Sequence, residues 1–146
     1  MHGFSRAEIG RRTDGLLQRL ELADAVNEFA VNYSKGMKKK LALICAMLHD
    51  PALLILDEPT NGLDPFATRT LHEIMREKVA CGRTVFFSTH LLDQAEKLCT
   101  RLAIINRGRL AAMGTLADLR ADLPPESTLE EVFFARTGDA APPVTM

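Results

Sequence analysis

Tyr33-Ser34-Lys35-Gly36-Met37, followed by Leu53-Leu54-Ile55-Leu56-Asp57-Glu58 and Pro59-Thr60-Asn61-Gly62-Leu63-Asp64, is the stretch that decides how this chain folds. Its first residues open an amphipathic helix near Ser34. Leu41, Ile44, Cys45 and Leu48 recur at i, i+3, i+4 and i+7, which predicts a core-facing stripe. His49-Asp50-Pro51 ends the helix, because a proline disfavours helical backbone at the residue before it. Leu53 to Leu56 shows no polar alternation and predicts a strand buried on both faces of a parallel sheet. Asp57 and Glu58 close that strand with two carboxylates. Asp64-Pro65 then starts another helix, a capping carboxylate followed by proline at the first helical position.

Upstream, Ser5-Arg6-Ala7-Glu8 reads as a capping box. Ile9, Leu16, Leu17, Leu20 and Leu22 supply one apolar face of a helix reaching about Glu21, and Asp24 to Asn32 reads as loop or a short helical turn. Downstream, Leu71, Ile74, Met75 and Lys78 carry the Asp64-capped helix to about Ala80, where Gly82 stops it. Thr84 to Phe87 is a strand, Leu91 to Cys99 a helix and Leu102 to Ile105 a third apolar strand. Asn106-Arg107-Gly108-Arg109 signals a hairpin into a short strand near Leu110 to Met113. Thr115 and Thr128 cap two short helices separated by Pro124-Pro125, the second carrying Val132, Phe133 and Phe134.

Strand, helix, strand, helix, strand is the pattern of an α/β domain with a mostly parallel sheet and flanking helices. Ligands of such sheets sit at the carboxyl ends of the strands. Asp57 and Glu58 end one strand and Ser88, Thr89 and His90 the next, so these polar residues are expected to meet at one edge.

The 146 residues, 47% apolar and 25% charged, suffice for one globular domain. A net charge of −1 argues against a global field for nucleic acid or an anionic surface. The longest apolar stretches are strand-sized, so membrane association would come through a partner. The start lacks an apolar signal-peptide core. Cys45, Cys81 and Cys99 lack Cys-x-x-Cys spacing and are expected to be buried, reduced thiols.

The chemistry at the strand ends suits a phosphate ester and a hard cation. Asp57 stands where a carboxylate holds Mg²⁺, directly or through water. Glu58, one residue on, is placed to orient or deprotonate a water. His90 is placed to donate to a terminal phosphate. Ser34 and Gly36 open a helix whose free N–H groups form an anion site; Gly36 lets an anion approach, and Lys35 adds charge. Each pattern also has a plainer reading: a charged strand end, a structural histidine, a capped helix, a turn at Asn61 to Asp64. Lys38-Lys39-Lys40 reads as a solvated patch or a docking surface for an acidic partner. His2, His49 and His72 lack metal-ligand spacing and read as surface residues.

In this order and spacing the pieces resemble the nucleotide-binding subunit of ATP-binding-cassette (ABC) transporters, a P-loop NTPase domain. Tyr33 to Met37 is similar to the family's signature motif, Leu53 to Glu58 to its Walker B strand, Asn61 to Asp64 to its D-loop and His90 to its switch histidine. The resemblance implies ATP and Mg²⁺ as ligands, with Asp57 at the metal and Glu58 and His90 as catalytic residues. It implies a second cassette as partner, whose ATP would meet Ser34, Lys35 and Gly36, with Asp64 in the D-loop beside it. It further implies transmembrane permease subunits that hold the protein on the cytoplasmic face of the membrane, and no nucleic acid. The tyrosine-led signature with Lys35 and Met37 is most similar to exporters whose membrane part is a separate polypeptide.

One departure matters as much as the matches. No Gly-x-x-x-x-Gly-Lys-Ser/Thr phosphate loop occurs in the sequence, and only 32 residues precede Tyr33. The expectation is therefore a C-terminal portion of a truncated P-loop domain. Residues 1–50 would be the end of the helical subdomain and the signature helix, 51–114 the Walker B to histidine core, 115–137 a helical extension and 138–146 a disordered tail. Leu53 to Leu56 is expected to keep an unpaired edge. An ATPase part is the leading reading. A non-catalytic interaction module or decayed gene product is the alternative. A chromosome-maintenance ATPase fits less well, because Glu21 to Asn32 carries no heptads.

Overall fold

A computed structural model describes residues 4–138, and the chain divides into two compact units, one ending at Ser88 and the other beginning at Thr89. In the first unit, Ser5 caps α1 (Arg6–Arg19), its Oγ accepting from the Glu8 N–H at 3.2 Å. The reciprocal half of the expected capping box is replaced by an ion pair one turn along, Arg12 to the Glu8 carboxylate at 3.0 Å. Leu17, Leu20 and Leu22 are buried, while Ile9, near the start of the helix, stays outside the core. Two short 3₁₀ turns, Ala23–Ala25 and Ala30–Asn32, lead to Tyr33, whose hydroxyl donates to the Ala25 carbonyl at 2.7 Å.

α2 (Lys35–Leu48) is capped by Ser34, whose Oγ accepts from the Met37 N–H at 3.2 Å. Its buried stripe is Lys40, Leu43, Ile44 and Met47, one residue out of step with the predicted one except at Ile44. A stripe of apolar residues alone leaves out Lys40, which packs its methylene stem inward and carries its ammonium out to Asp64. The shift leaves Cys45 exposed, and Cys81, just after α3, is exposed too; Cys99 is half-buried and burial pushes its thiol up. All three are free thiols, so the expectation of buried cysteines fails at Cys45 and Cys81.

β1 (Leu53–Asp57), α3 (Pro65–Ala80) and β2 (Thr84–Ser88) form a parallel crossover, with Leu53 opposite Thr84 and Asp57 opposite Ser88. The fold is thus α/β with a parallel sheet. Leu54 and Leu56, with Val85 and Phe87 of β2, pack on Leu20, Leu43, Met47, Leu71 and Ile74 of the helices. The other face is open: Leu53 is 51%, Ile55 66% and Phe86 61% exposed. The predicted burial of β1 on both faces is corrected accordingly. All three helices of this unit lie against one side of the sheet, and β1 pairs with β2 alone among the described residues, so its other edge is unpaired.

Asp50 fastens this unit together. It takes a left-handed backbone (φ 49°) after α2. Its carboxylate binds Lys78 of α3 at 2.5 Å and Arg83, just before β2, at 2.8 Å. These hydrogen bonds, Lys78 first, lower the Asp50 pKa to about 2. A depressed carboxylate contributes stability above its unfolded pKa and loses it as pH falls through the folded one. Stability should therefore hold down to about pH 4 and drop toward pH 2, with Asp50 supplying roughly 1–2 kcal/mol after solvent screening. Chemical denaturation against pH checks this: Asp50→Asn should lower stability at pH 7 and flatten the acid limb, and an unchanged limb would count against it.

The second unit holds α4 (Leu92–Leu98), β3 (Leu102–Asn106), β4 (Arg109–Gly114), α5 (Leu116–Leu119) and α6 (Leu129–Thr137). β3 and β4 form an antiparallel hairpin. Its two turn residues, Arg107 (φ 49°) and Gly108 (φ 73°), both adopt the left-handed backbone that two-residue hairpins favour. Thr115 with Asp118, and Thr128 with Glu131, form complete capping boxes. Leu119, Leu129 and Val132 of the predicted 115–137 extension share one core with Ala95 and Ile104. Glu96 ties α4 to this layer, accepting from Arg120 at 2.6 Å and from the Leu129 N–H at 3.0 Å. The disordered tail predicted for 138–146 lies, beyond Gly138, outside the described residues.

Candidate functional site

Parallel register brings the ends of β1 and β2 side by side, so Asp57, Glu58 and Ser88 meet as the sequence suggested. The Ser88 hydroxyl donates to Asp57 Oδ1 and accepts from the Glu58 N–H at 3.1 Å. Glu58 is half-buried and adopts a left-handed backbone, φ 41°. For a residue with a Cβ this costs about 1–2 kcal/mol. The conformation is held from both sides. The Glu58 N–H is bound to Ser88, and its carbonyl accepts from Lys39 Nζ at 2.9 Å and from the Asn61 N–H at 3.2 Å. Lys39 also reaches the Asp57 carbonyl at 3.3 Å.

The acidic turn after Glu58 packs on the start of α2. Gly62 is left-handed (φ 81°), and a Cβ placed on Gly36 would come within 3.3 Å of the Gly62 carbonyl. Glycine at 36 thus permits helix start and turn to approach closely. Asp64 accepts from the Ala67 N–H at 2.8 Å and pairs with Lys40 at 3.1 Å. The Ala67 N–H, and then the Lys40 ammonium, hold its carboxyl below the usual carboxylate range.

The Lys38-Lys39-Lys40 run is therefore not solvated throughout, as expected of a patch: Lys38 is exposed, but Lys39 is half-buried and Lys40 buried. Lys38 caps the Val31 carbonyl at 3.1 Å, and the other two brace the turn. Sequence reasoning missed Lys39 and Lys40 as site residues. A usable signal was present, since Gly36, Lys39 and Lys40 at i, i+3 and i+4 share one helix face.

Ser34 and Lys35 are exposed and Gly36 half-exposed at the first turn of α2, where free N–H groups and the helix dipole favour an anion. His90 is exposed and belongs to the second unit, where Thr89 Oγ1 accepts from the Leu91 N–H at 3.1 Å. His49 is exposed; His72, expected at the surface, is half-buried on α3. His2 lies outside the described residues.

The donor set fits Mg²⁺ bound chiefly by phosphate and water. It offers one strand-end carboxylate, Asp57, oriented by a hydroxyl, and the described residues contain no group of three or more His, Cys, Asp or Glu able to cage a metal. When bound there, Mg²⁺ would neutralise phosphate charge. A depression lined by Lys39, Leu43, Ile55, Leu56, Asp57 and Pro59 measures about 150 Å³, well below the roughly 300–1,000 Å³ of small-molecule sites.

Residues 7–92 match the family model described as "AAA domain, putative AbiEii toxin, Type IV TA system". An uncharacterized ABC transporter ATP-binding protein of Bacillus subtilis, YthP, is 37% identical over 141 residues, 95% of this chain and 60% of that protein. The Nod factor export ATP-binding protein I of Cupriavidus pinatubonensis is 40% identical over 117 residues, 80% of this chain and 36% of that protein. A solved structure of the ATP-binding subunit of an ABC transporter superposes with a TM-score of 0.87 at 40% identity, covering 92% of this chain and 56% of that one.

The chain belongs to the AAA-domain family, with the fold of a P-loop NTPase. More particularly, its homologues are ABC transporter ATP-binding proteins, and it spans 60% or less of the length of these curated relatives. Among the described residues no helix is long and apolar enough to cross a membrane.

Proposed function

We propose that these residues form part of the ATP-hydrolysing subunit of an ABC transporter of the exporter type. The observation that carries this reading is the meeting of Asp57, Glu58 and Ser88 at the carboxyl end of two parallel strands, braced by the helix that opens at Ser34. Asp57 would hold Mg²⁺ and Glu58 would act as base toward the attacking water. His90 would donate to the terminal phosphate. Ser34, Lys35 and Gly36 would contact the ATP of a second cassette, with Asp64 in the turn beside it. Export draws support from the Nod factor relative and from the daunorubicin/doxorubicin resistance ATP-binding protein of Streptomyces peucetius, 37% identical over 123 residues. In this reading the subunit sits on the cytoplasmic face of the membrane through permease subunits. The phosphate loop must come from sequence other than these 146 residues.

The test is ATP affinity with and without Mg²⁺, measured on a cassette joining this chain to a phosphate loop. Asp57→Asn should weaken Mg²⁺-ATP binding by about tenfold or more while leaving metal-free binding alone. Equal loss in both conditions would refute the metal role. A second reading, a non-catalytic module that docks on an intact cassette, draws on the open apolar face at Leu53, Ile55 and Phe86. Stable co-purification with such a cassette, combined with absent turnover in the loop-bearing fusion, would favour it.

A further inference from the structure

Glu58 occupies a backbone conformation that its own side chain disfavours, so something outside the turn must hold it there. The parallel strands supply one restraint, Ser88 Oγ on the Glu58 N–H. On the carbonyl side the Asn61 N–H is a contact within the turn, and a contact from elsewhere in the fold is Lys39 Nζ, at 2.9 Å from the Glu58 carbonyl and 3.3 Å from that of Asp57. One ammonium thus bridges two successive carbonyls across the point where the backbone turns left-handed. Such charge-assisted bonds are stronger than neutral ones. Lys39 is seated on α2, whose next residue, Lys40, pairs with Asp64 at the far end of the same turn, so both ends of the turn are fastened to one helix.

We propose that Lys39 is a positioning residue for Glu58: by bridging the Asp57 and Glu58 carbonyls it fixes the left-handed backbone that aims the Glu58 carboxylate. The proposal rests on the reading of Glu58 as the base. It requires no contact between Lys39 and substrate. Removing the ammonium should therefore loosen the turn and slow the chemical step without weakening nucleotide binding. Arginine, with several donors, should restore most of both.

The test uses the cassette that joins this chain to a phosphate loop, with Lys39→Met keeping the aliphatic stem and Lys39→Arg keeping the charge. Amide hydrogen exchange over residues 57–64 is followed without nucleotide, and kcat and KM for ATP are measured separately. Lys39→Met should speed exchange in 57–64 by roughly tenfold, leave exchange within α3 unchanged, and lower kcat by a similar factor at constant KM; Lys39→Arg should return both toward wild type. Unchanged exchange in 57–64, or a rise in KM with kcat intact, would overturn the proposal. Glu58→Gln is the separate control: turnover that survives it would overturn the reading of Glu58 as base, whereas the exchange data report on Lys39 whatever that outcome.

Discussion

Glu58→Gln should lower ATP turnover by roughly 10²- to 10⁴-fold in a cassette that joins these residues to a phosphate loop. The magnitude is that of removing a positioned general base. Glutamine keeps the shape of the side chain, and the bonds that hold the Glu58 backbone are made by its N–H and carbonyl, so the turn should stay intact. Phosphate release under saturating Mg²⁺-ATP would show the loss in kcat, with KM close to wild type. A fall of less than tenfold would mean that the carboxylate is not the base. The turn would then serve only to cap α3 through Asp64.

Leu71→Ala should cost about 2–5 kcal/mol, a large part of the ~5–15 kcal/mol that stabilises a typical domain. Leu71 is fully buried on α3, in the core that also takes Leu20, Met47 and Leu54. The informative comparison is Ile55→Ala. Ile55 lies on β1 between Leu54 and Leu56 but is 66% exposed, so its truncation should cost less than about 1 kcal/mol. Urea denaturation of both variants measures the difference. Comparable losses would show that the open face of the sheet is covered in the folded protein.

What was legible in the sequence was local or came from the order of motifs. Ser5, Ser34, Asp64, Thr115 and Thr128 all cap helices as read, because a cap needs only a side-chain oxygen and the following N–H groups. Asp57 and Ser88 meet because two parallel strands end in register. What was not legible depends on partners distant in sequence. An apolar run such as Leu53 to Leu56 does not say how many of its faces are covered. Long flexible cations choose their acceptors only in three dimensions, so Lys39 and Lys40 read as a surface patch although they brace the turn from Asp57 to Asp64. The left-handed backbone at Glu58 also leaves no trace in composition, since glycine would be the usual residue there.

The most direct measurement is ATP turnover by the 146-residue chain alone, purified without any other cassette. On the proposed reading Asp57 is the metal carboxylate and Glu58 the base, the 146 residues contain no phosphate-loop motif, and phosphoryl transfer depends on positioning and charge stabilisation of the phosphates. The predicted result is no Mg²⁺-dependent phosphate release above that of the Glu58→Gln variant. Sustained hydrolysis by the chain alone, abolished by Glu58→Gln, would contradict the account.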